Sequence, residues 1–319
     1  MKTLRIQRYT AKHKKIWDDF LAVDPRYSFL FYRDFMEYHK DRFEDYSLMI
    51  FHDATLIGLF PAALTNQNQI QSHSGLSYGG LLYDSNTFER DFVSEMYQAI
   101  IAFLNKKGIT KINIKLPPSF YNTGIAEQTD VIKQLKGDME KSFLSMAVDM
   151  TRALKIHKSK LKRYKNRKLK MEFSIHNNND FKDFWTNVLI PCLHEKHQAS
   201  PVHSCSEIES LHEYFPNTIV QWNLYYEDII IAGITLFIKN NIVRSQYGAT
   251  RLGYERLAPL DYLYIYLMEL YSEKGFQFFD MGSIPPSNDL TYPQGLVNYK
   301  KELGCDIYAQ DQFVMSHEN

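Results

Sequence analysis

The sequence predicts an α+β protein made of two tandem copies of one unit, each a mixed, mostly antiparallel sheet flanked by helices. Three observations carry this expectation. The order strand, strand, strand, helix, strand occurs twice, the residues that punctuate it correspond, and equivalent landmarks lie a near-constant distance apart. Tyr78 to Tyr247 is 247 − 78 = 169 residues, Gly108 to Gly275 is 275 − 108 = 167, and Pro117 to Pro285 is 285 − 117 = 168.

Taken in order, YSLMIFHDATLIGLFPAALTNQNQIQSHSGLSYGG (46–80) reads as three short strands. His52-Asp53 and the Asn66/Asn68 pair supply its turns, and its third strand is expected to end at Tyr78-Gly79. FVSEMYQAIIAFLNKKG (92–108) has helical spacing closed by a glycine in the C-cap position, and ITKINIKLPP is a strand stopped by two prolines. The second copy repeats each step. WNLYYEDIIIAGITLFIKNNIVRSQYGAT (222–250) has turns at Glu227-Asp228 and Asn240-Asn241 and ends in Tyr247-Gly248. PLDYLYIYLMELYSEKG (259–275) is the helix, and FQFFDMGSIPP the strand with its double proline. The expected domains are 1–150 and 151–319, with 46–150 superposing on 222–290. The final run DIYAQDQFVM (306–315) is expected to form an edge strand on either sheet.

Composition bounds the function. The 319 residues are 45% hydrophobic and 23% charged, the make-up of a globular protein long enough for two domains. Thirty-seven Lys+Arg balance 37 Asp+Glu, so the molecule as a whole is not built to adhere to nucleic acid or membrane. Three cysteines (Cys192, Cys205, Cys305) do not make a disulfide framework. With no apolar leader at the N-terminus and no run of membrane-spanning length, a cytoplasmic protein without membrane insertion is expected. No Walker A motif, dinucleotide-binding glycine loop, Gly-x-Ser-x-Gly elbow or EF-hand spacing occurs. The 22 Tyr and 21 Phe follow core periodicities rather than forming a base-stacking platform.

The duplicated plan, a meander followed by a helix and a further strand, resembles the GNAT acyltransferase fold, and the tandem copy resembles its Fem-type (FemABX-like) branch. The motifs are FDMGS (279–283) and GLVNYKKELG (295–304), which are similar to that branch's strand end and its GL..FK..FG segment. Tyr299 stands for the usual Phe and Leu303 for the second one, Lys300 holds the family lysine's place, and SYGG (77–80) resembles the first-copy strand end. The resemblance implies an N-acyltransferase that moves an acyl group to an amine on a cell-envelope or polysaccharide precursor, such as an amino sugar. The implied donor is acetyl-CoA or another acyl-CoA, with aminoacyl-tRNA as the alternative. A rival class is a non-catalytic binding protein for an anionic glycan or protein partner.

In such folds two neighbouring strands splay, and a strand-end residue faces the reacting carbonyl. Acyl transfer needs an amine relieved of its proton and donors for the oxyanion. The candidate catalytic residues are therefore Lys300, Asp280 and Tyr247. Lys300 would orient an anionic group or stabilise the oxyanion, and Asp280 would accept a proton or hold Lys300. Tyr78 and Tyr299 are candidate substrate contacts. The loop between Asp280 and Lys300, with Pro285, Pro286, Pro293 and Gly295, would wall the acceptor cleft. For the donor, Gln246, Arg251 and Gly253 are the candidates, although ATRLGYERLAPLDYL (249–263) lacks the usual spacing of a pyrophosphate-cradling loop.

KIHKSKLKRYKNRKLK (155–170) has nine basic residues and no acid. One reading is a solvated helix with Leu161, Tyr164 and Leu169 turned inward. The other is an anion site using Lys162 and Arg163 for phosphates of a sugar nucleotide, coenzyme A or tRNA. PCLHEKHQASPVHSCSE (191–207) gathers Cys192, His194, His197, His203 and Cys205 without a zinc-site spacing, so no metal is expected. His197 should end a helix, and Ser204 with Glu207 should open the next through a capping box. His197 and His203 are secondary substrate-binding candidates by resemblance, and Tyr32, with Arg33, a candidate acceptor contact.

Overall fold

The computed structural model describes residues 4–24, 27–72, 74–84, 88–121, 124–170, 173–287 and 291–316. They form two compact units, Met1–Leu144 with Tyr308–Asn319, and Ser145–Ile307.

Unit 1 contains β1 (Leu4–Arg8), α1 (Lys14–Ala22), α2 (Arg33–Met36), β2 (Glu44–Asp45), β3 (Leu48–His52), β4 (Thr55–Phe60), β5 (Ala63–Asn66) and β6 (Gln69–Ser72). After them come β7 (Leu82–Tyr83), α3 (Arg90–Asn105), β8 (Lys111–Lys115), α4 (Ile125–Gln134) and the first part of β9 (Asp138–Asp149). One sheet has the order β1-β3-β4-β7, and the other runs β9-β15-β8-β6-β5-β2, where β15 is Asp306–Ser316. The meander thus has four strands, not three. Pro61, which has no N–H to give a ladder, interrupts what would be one long strand and divides it into β4 and β5. The third strand also stops at Ser72, so Tyr78 lies beyond it in a loop. α3 turns Val93, Met96, Tyr97, Ile100 and Leu104 into the core against Ile70, Ile112 and Phe313. That is the i, i+3, i+4, i+7 stripe of an amphipathic helix. β15 has β9 on one side and β8 on the other, so it is an interior strand and not the edge strand expected from the sequence.

Unit 2 takes the end of β9, then α5 (Lys158–Lys170), β10 (Ser174–His176), α6 (Phe181–Phe184), a π-helical turn (Trp185–Leu189), α7 (Ile190–His197) and α8 (Cys205–Tyr214). β11 (Ile219–Tyr226), β12 (Ile229–Lys239), β13 (Ile242–Thr250), α9 (Pro259–Glu273), β14 (Phe278–Ile284) and α10 (Gln294–Glu302) complete it. Its strand order is β10-β11-β12-β13-β14-β9. β11, β12 and β13 are antiparallel neighbours, and β14 returns parallel to β13 after the helix. Gly233 in β12 lies under Phe184, where a Cβ would meet the ring at 2.3 Å, so only glycine lets the helical layer seat there.

Unit 1 divides its strands between two sheets and unit 2 does not, yet the two units share local features. β3 and β4 slip register by one residue at Ile57, and β11 and β12 do the same at Ile231. Gly108 and Gly275 close α3 and α9 in the left-handed region at φ 76° and 83°. β6 and β8 are parallel, as are β13 and β14. The duplication also extends past the double prolines, because α4 and β9 answer to α10 and β15. Among the described residues no helix is long and apolar enough to cross a membrane.

Candidate active site

The site in unit 2 begins with a break in pairing. β13 and β14 are in register only over Ile242↔Phe278, Val243↔Phe279 and Arg244↔Asp280. At the next step β13 carries a β-bulge, since Ser245 faces Leu236 and Tyr247 faces Thr235, which leaves Gln246 as the extra residue. A bulge bends its strand and re-aims its side chains. From Ser245 onward β13 runs free of the β14 ladder.

Asp280 sits where the strands part. It is fully buried; Oδ2 accepts from Arg244 Nη1 at 2.6 Å and Oδ1 from the Gly282 N–H at 2.7 Å. This local turn needs φ +81° at Gly282, a value natural to glycine. Lys300 comes from α10, 8% exposed, with Nζ donating to the Gly282 carbonyl at 3.2 Å. Burial pushes the Lys300 pKa below its usual value, Asp280 and Cys305 pull it back up, and Arg244 pushes it down. The Cys305 thiol is itself held up by burial. Asp280 is thus a group that orients its neighbours, closed off from solvent and unsuited to accept a substrate's proton.

Tyr247 lies past the bulge, packed edge-on to Trp185. Its hydroxyl accepts the His203 backbone N–H at 3.1 Å and shares a hydrogen bond with His203 Nδ1 at 2.6 Å. Burial raises its pKa. His203 is buried at 4% exposure, so it backs Tyr247 and does not meet substrate. His197, the last residue of α7, is exposed. The Ser204–Glu207 capping box is present at the start of α8. Among the described residues, no group of three or more His, Cys, Asp and Glu could hold a metal ion.

The donor candidates divide. Gln246, at the bulge, accepts from Arg244 Nε at 3.5 Å. The Arg251 guanidinium, a donor-site candidate, donates to the Ile230 carbonyl at 3.3 Å. The Gly253 N–H is taken by Glu255 Oε2 at 2.9 Å, and Glu255 is paired with Lys196 at 2.7 Å. At the start of α9, Pro259 removes one donor and the nearly buried Asp261 supplies an anion of its own in the first turn. The loop's Gly253 N–H is thus taken by a carboxylate, and the first turn of α9 carries a negative charge where a diphosphate would need none.

Asp261 is the hub of a cluster that sequence reading missed. It accepts from Lys160 Nζ at 2.7 Å, has Arg163 Nη1 at 3.8 Å, and is hydrogen bonded by Tyr299. Lys160 also lies 4.6 Å over the Tyr299 ring and 3.5 Å from Glu302. Tyr299 therefore ties α10 to α5 and α9 rather than facing a ligand. Nothing in a run of nine basic residues marks Lys160 as the buried one, except its i, i+4 relation to Tyr164, which is buried with it. Lys162 and Arg163 are exposed, Leu161 is half-buried, and Leu169, expected to turn inward, is 82% exposed.

Two candidates belong to unit 1. Tyr78 is 2% exposed, its hydroxyl on Ser28 Oγ at 3.1 Å and its ring edge-on to Phe31 and Tyr121, so it is a core residue rather than a substrate contact. Tyr32 is half-buried just before α2, and burial raises its pKa. Arg33 is a structural cation, stacked 3.7 Å over Tyr9 and paired with Glu37 at 3.0 Å and with Asp45. Of the wall residues, 288–290 lie outside the described residues.

A bulged third strand that leaves its parallel neighbour, occurring in a duplicated sheet-and-helix unit, defines the class: a tandem protein of the GNAT fold. Solved structures agree. FemX superposes with a TM-score of 0.70 at 12% identity over 98% of this chain and 97% of its own. L-PGS from Bacillus licheniformis gives 0.57 at 13% identity over 82% of each chain. A tandem GNAT protein from the clavulanic acid biosynthesis pathway gives 0.54 at 10% over 99% of each. No family profile and no curated protein sequence matches the chain. The fold is thus a tandem GNAT fold, like that of FemX.

Proposed function

We propose that the protein is an acyltransferase, with an amine as acceptor and its centre in unit 2 at the opening between β13 and β14. The observation that carries this reading is Lys300, a buried cation anchored at Gly282 where the two strands part. In this reading a substrate carbonyl enters the opening, and its developing oxyanion is stabilised by the Lys300 ammonium and by backbone N–H groups that β13 no longer shares with β14. The attacking amine's proton leaves as the C–N bond forms. That proton passes to solvent as the acyl C–O or C–S bond breaks, and in this reading Tyr247, hydrogen bonded to His203, gives a proton to the leaving oxygen or sulfur and regains one from solvent.

Of the two donor classes, acyl-CoA and aminoacyl-tRNA, the occupied loop favours the second. A coenzyme A diphosphate would compete with Glu255 at the Gly253 N–H and would meet the negative charge of Asp261 in the first turn of α9. The exposed cations of α5, Lys162 and Arg163 among them, supply a surface for a polyanion. The resemblance of FDMGS and GLVNYKKELG to Fem-type motifs supports an acceptor amine on a cell-envelope or polysaccharide precursor, such as an amino sugar.

The test is thermal shift with acetyl-CoA, longer acyl-CoAs, aminoacyl-tRNA and UDP-amino sugars, followed by transfer assays with whichever donor binds. A ligand that binds only the folded state raises its melting temperature. Stabilisation by aminoacyl-tRNA but not acyl-CoA is expected, and Lys300→Ala should lower turnover about 10²-fold or more. Stabilisation by acyl-CoA alone would reverse the donor assignment. Full turnover in Lys300→Ala would remove the proposed centre.

A further inference from the structure

The duplication permits a residue-by-residue comparison of the two units at the place where unit 2 keeps its charges. The third parallel pair of the β13/β14 ladder is Arg244↔Asp280, and the third pair of the β6/β8 ladder is Gln71↔Asn113. Lys300 has an equally firm counterpart. Its carbonyl closes α10 by accepting the Cys305 N–H at 3.1 Å, one residue past the left-handed Gly304. In α4 the carbonyl that accepts in this way belongs to Ile132, from the Gly137 N–H at 2.8 Å, one residue past the left-handed Lys136. The arginine, aspartate and lysine of unit 2 thus correspond to glutamine, asparagine and isoleucine in unit 1.

All three charges are replaced by neutral groups. Ile132 is fully buried and part of the hydrophobic core. Among the described residues, the cleft of about 440 Å³ at the end of β8 has Glu127, Asp130 and Asp311 in its wall and no lysine or arginine, although Arg90 reaches Asp130 at 3.5 Å. Negative groups of this kind oppose an oxyanion rather than stabilise it.

In unit 2 the three charges form one connected series. Arg244 binds Asp280 at 2.6 Å, Asp280 takes the Gly282 N–H at 2.7 Å, and the same glycine's carbonyl holds Lys300 at 3.2 Å. We infer that the duplicated fold has a single catalytic centre, in unit 2, and that Arg244 and Asp280 are positioning residues that set the place and charge of Lys300 through Gly282. Resting on the proposed acyl transfer, this assigns unit 1 no chemistry of its own and gives Arg244 a role that its place in the sequence did not announce.

The consequence is a pair of opposite effects. The charged or titratable groups acting on Lys300 are Asp280 on β14, Arg244 on β13 and the Cys305 thiol. Removing the carboxylate should make the ammonium easier to deprotonate, and removing the guanidinium should make it harder. A residue that merely packs would shift neither.

The experiment titrates Lys300 by NMR in protein labelled at lysine 13Cε, with the signal assigned by its loss in Lys300→Met. Asp280→Asn should lower the midpoint by about one pH unit and Arg244→Gln should raise it. The double variant Arg244→Gln/Asp280→Asn installs the residues unit 1 already has, so it keeps a neutral matched pair should Asp280→Asn alone fail to fold. Its midpoint should fall between those of the single variants. Shifts in one direction for both single variants, or no shift in any, would overturn the inference. This readout needs no substrate, so it stands or falls separately from the acyl-transfer reading. In a transfer assay, Gln71→Arg and Asn113→Asp should leave turnover unchanged; a loss of tenfold or more would give unit 1 a part in the chemistry and overturn the single-centre assignment.

Discussion

Asp261→Asn isolates a deeply enclosed ion pair in unit 2. Lys160 and Asp261 have side chains 8% and 12% exposed and a 2.7 Å contact, so removing the carboxylate charge leaves an ammonium in a largely dry site. Breaking one side of a buried pair costs about 3–5 kcal/mol. Lys160 keeps some shelter here, because Glu302 lies 3.5 Å away on a half-exposed side chain and the Tyr299 ring face is 4.6 Å off. The expected loss is therefore at the low end, about 2–3 kcal/mol, or roughly 5–10 °C in melting temperature for a unit of this size. Urea unfolding followed by far-UV circular dichroism measures it as a lower midpoint at unchanged slope. The double variant Lys160→Met/Asp261→Leu removes both charges and should recover to within about 1 kcal/mol of the parent, since apolar replacements of a whole buried pair are tolerated. The reasoning fails if Asp261→Asn stays within about 0.5 kcal/mol of the parent, or if the double variant is as unstable as the single one.

Alkaline pH should expose the buried tyrosines. Burial holds Tyr9 and Tyr264 up to about 12, so the folded chain keeps protons that the unfolded chain releases near 10. Their stabilisation is complete below pH 10 and disappears as pH rises through 12; for the fully buried Tyr264 it amounts to about 2–3 kcal/mol. Tyr264→Phe should flatten the fall in urea midpoint between pH 10 and 12, and an identical slope would show that this hydroxyl is not the source. Lys162→Ala with Arg163→Ala should weaken tRNA binding roughly tenfold at low salt while changing folding stability by ~0.5 kcal/mol or less, because exposed charges contribute little to the fold. An unchanged dissociation constant in filter binding at low ionic strength would reduce α5 to a solvated face.

Local chemistry made much of the fold readable. Glycine caps at 108 and 275, turn residues at 227–228 and 240–241, and the Ser204 box are signals that act within a few residues, and all are found in place. Signals weaken where the outcome depends on distant partners. Tyr78 and Tyr247 match in spacing, yet β6 ends at Ser72 and β13 continues to Thr250, so one tyrosine enters the core and the other stands beside a bulge. Lys160 looks like its basic neighbours until α9 brings Asp261 to it from 101 positions away. The likeness of GLVNYKKELG to a known motif pointed to Lys300 as a candidate, and the fold buries it beside Gly282. Arg244 carried no such signal, because its contact with Asp280 depends on a parallel register that only the folded sheet defines.

The shared strands β9 and β15 make the order of synthesis matter. Unit 1 draws Tyr308 and the residues after it from beyond the whole of unit 2, and unit 2 draws its first strand from the end of β9. A ribosome delivers the meander, α3 and β8 of unit 1 long before the strand that lies against β8, antiparallel to it, between Gln312↔Lys115 and Ser316↔Lys111. During that interval β8 keeps an unpaired edge, the kind of surface that recruits strands from other chains. Closing this gap spans nearly two hundred residues, so the last step of folding is a long-range pairing, slow for the same reason that non-local sheets are slow in general. A nascent chain halted after unit 2 should hold that unit folded while unit 1 remains sensitive to protease.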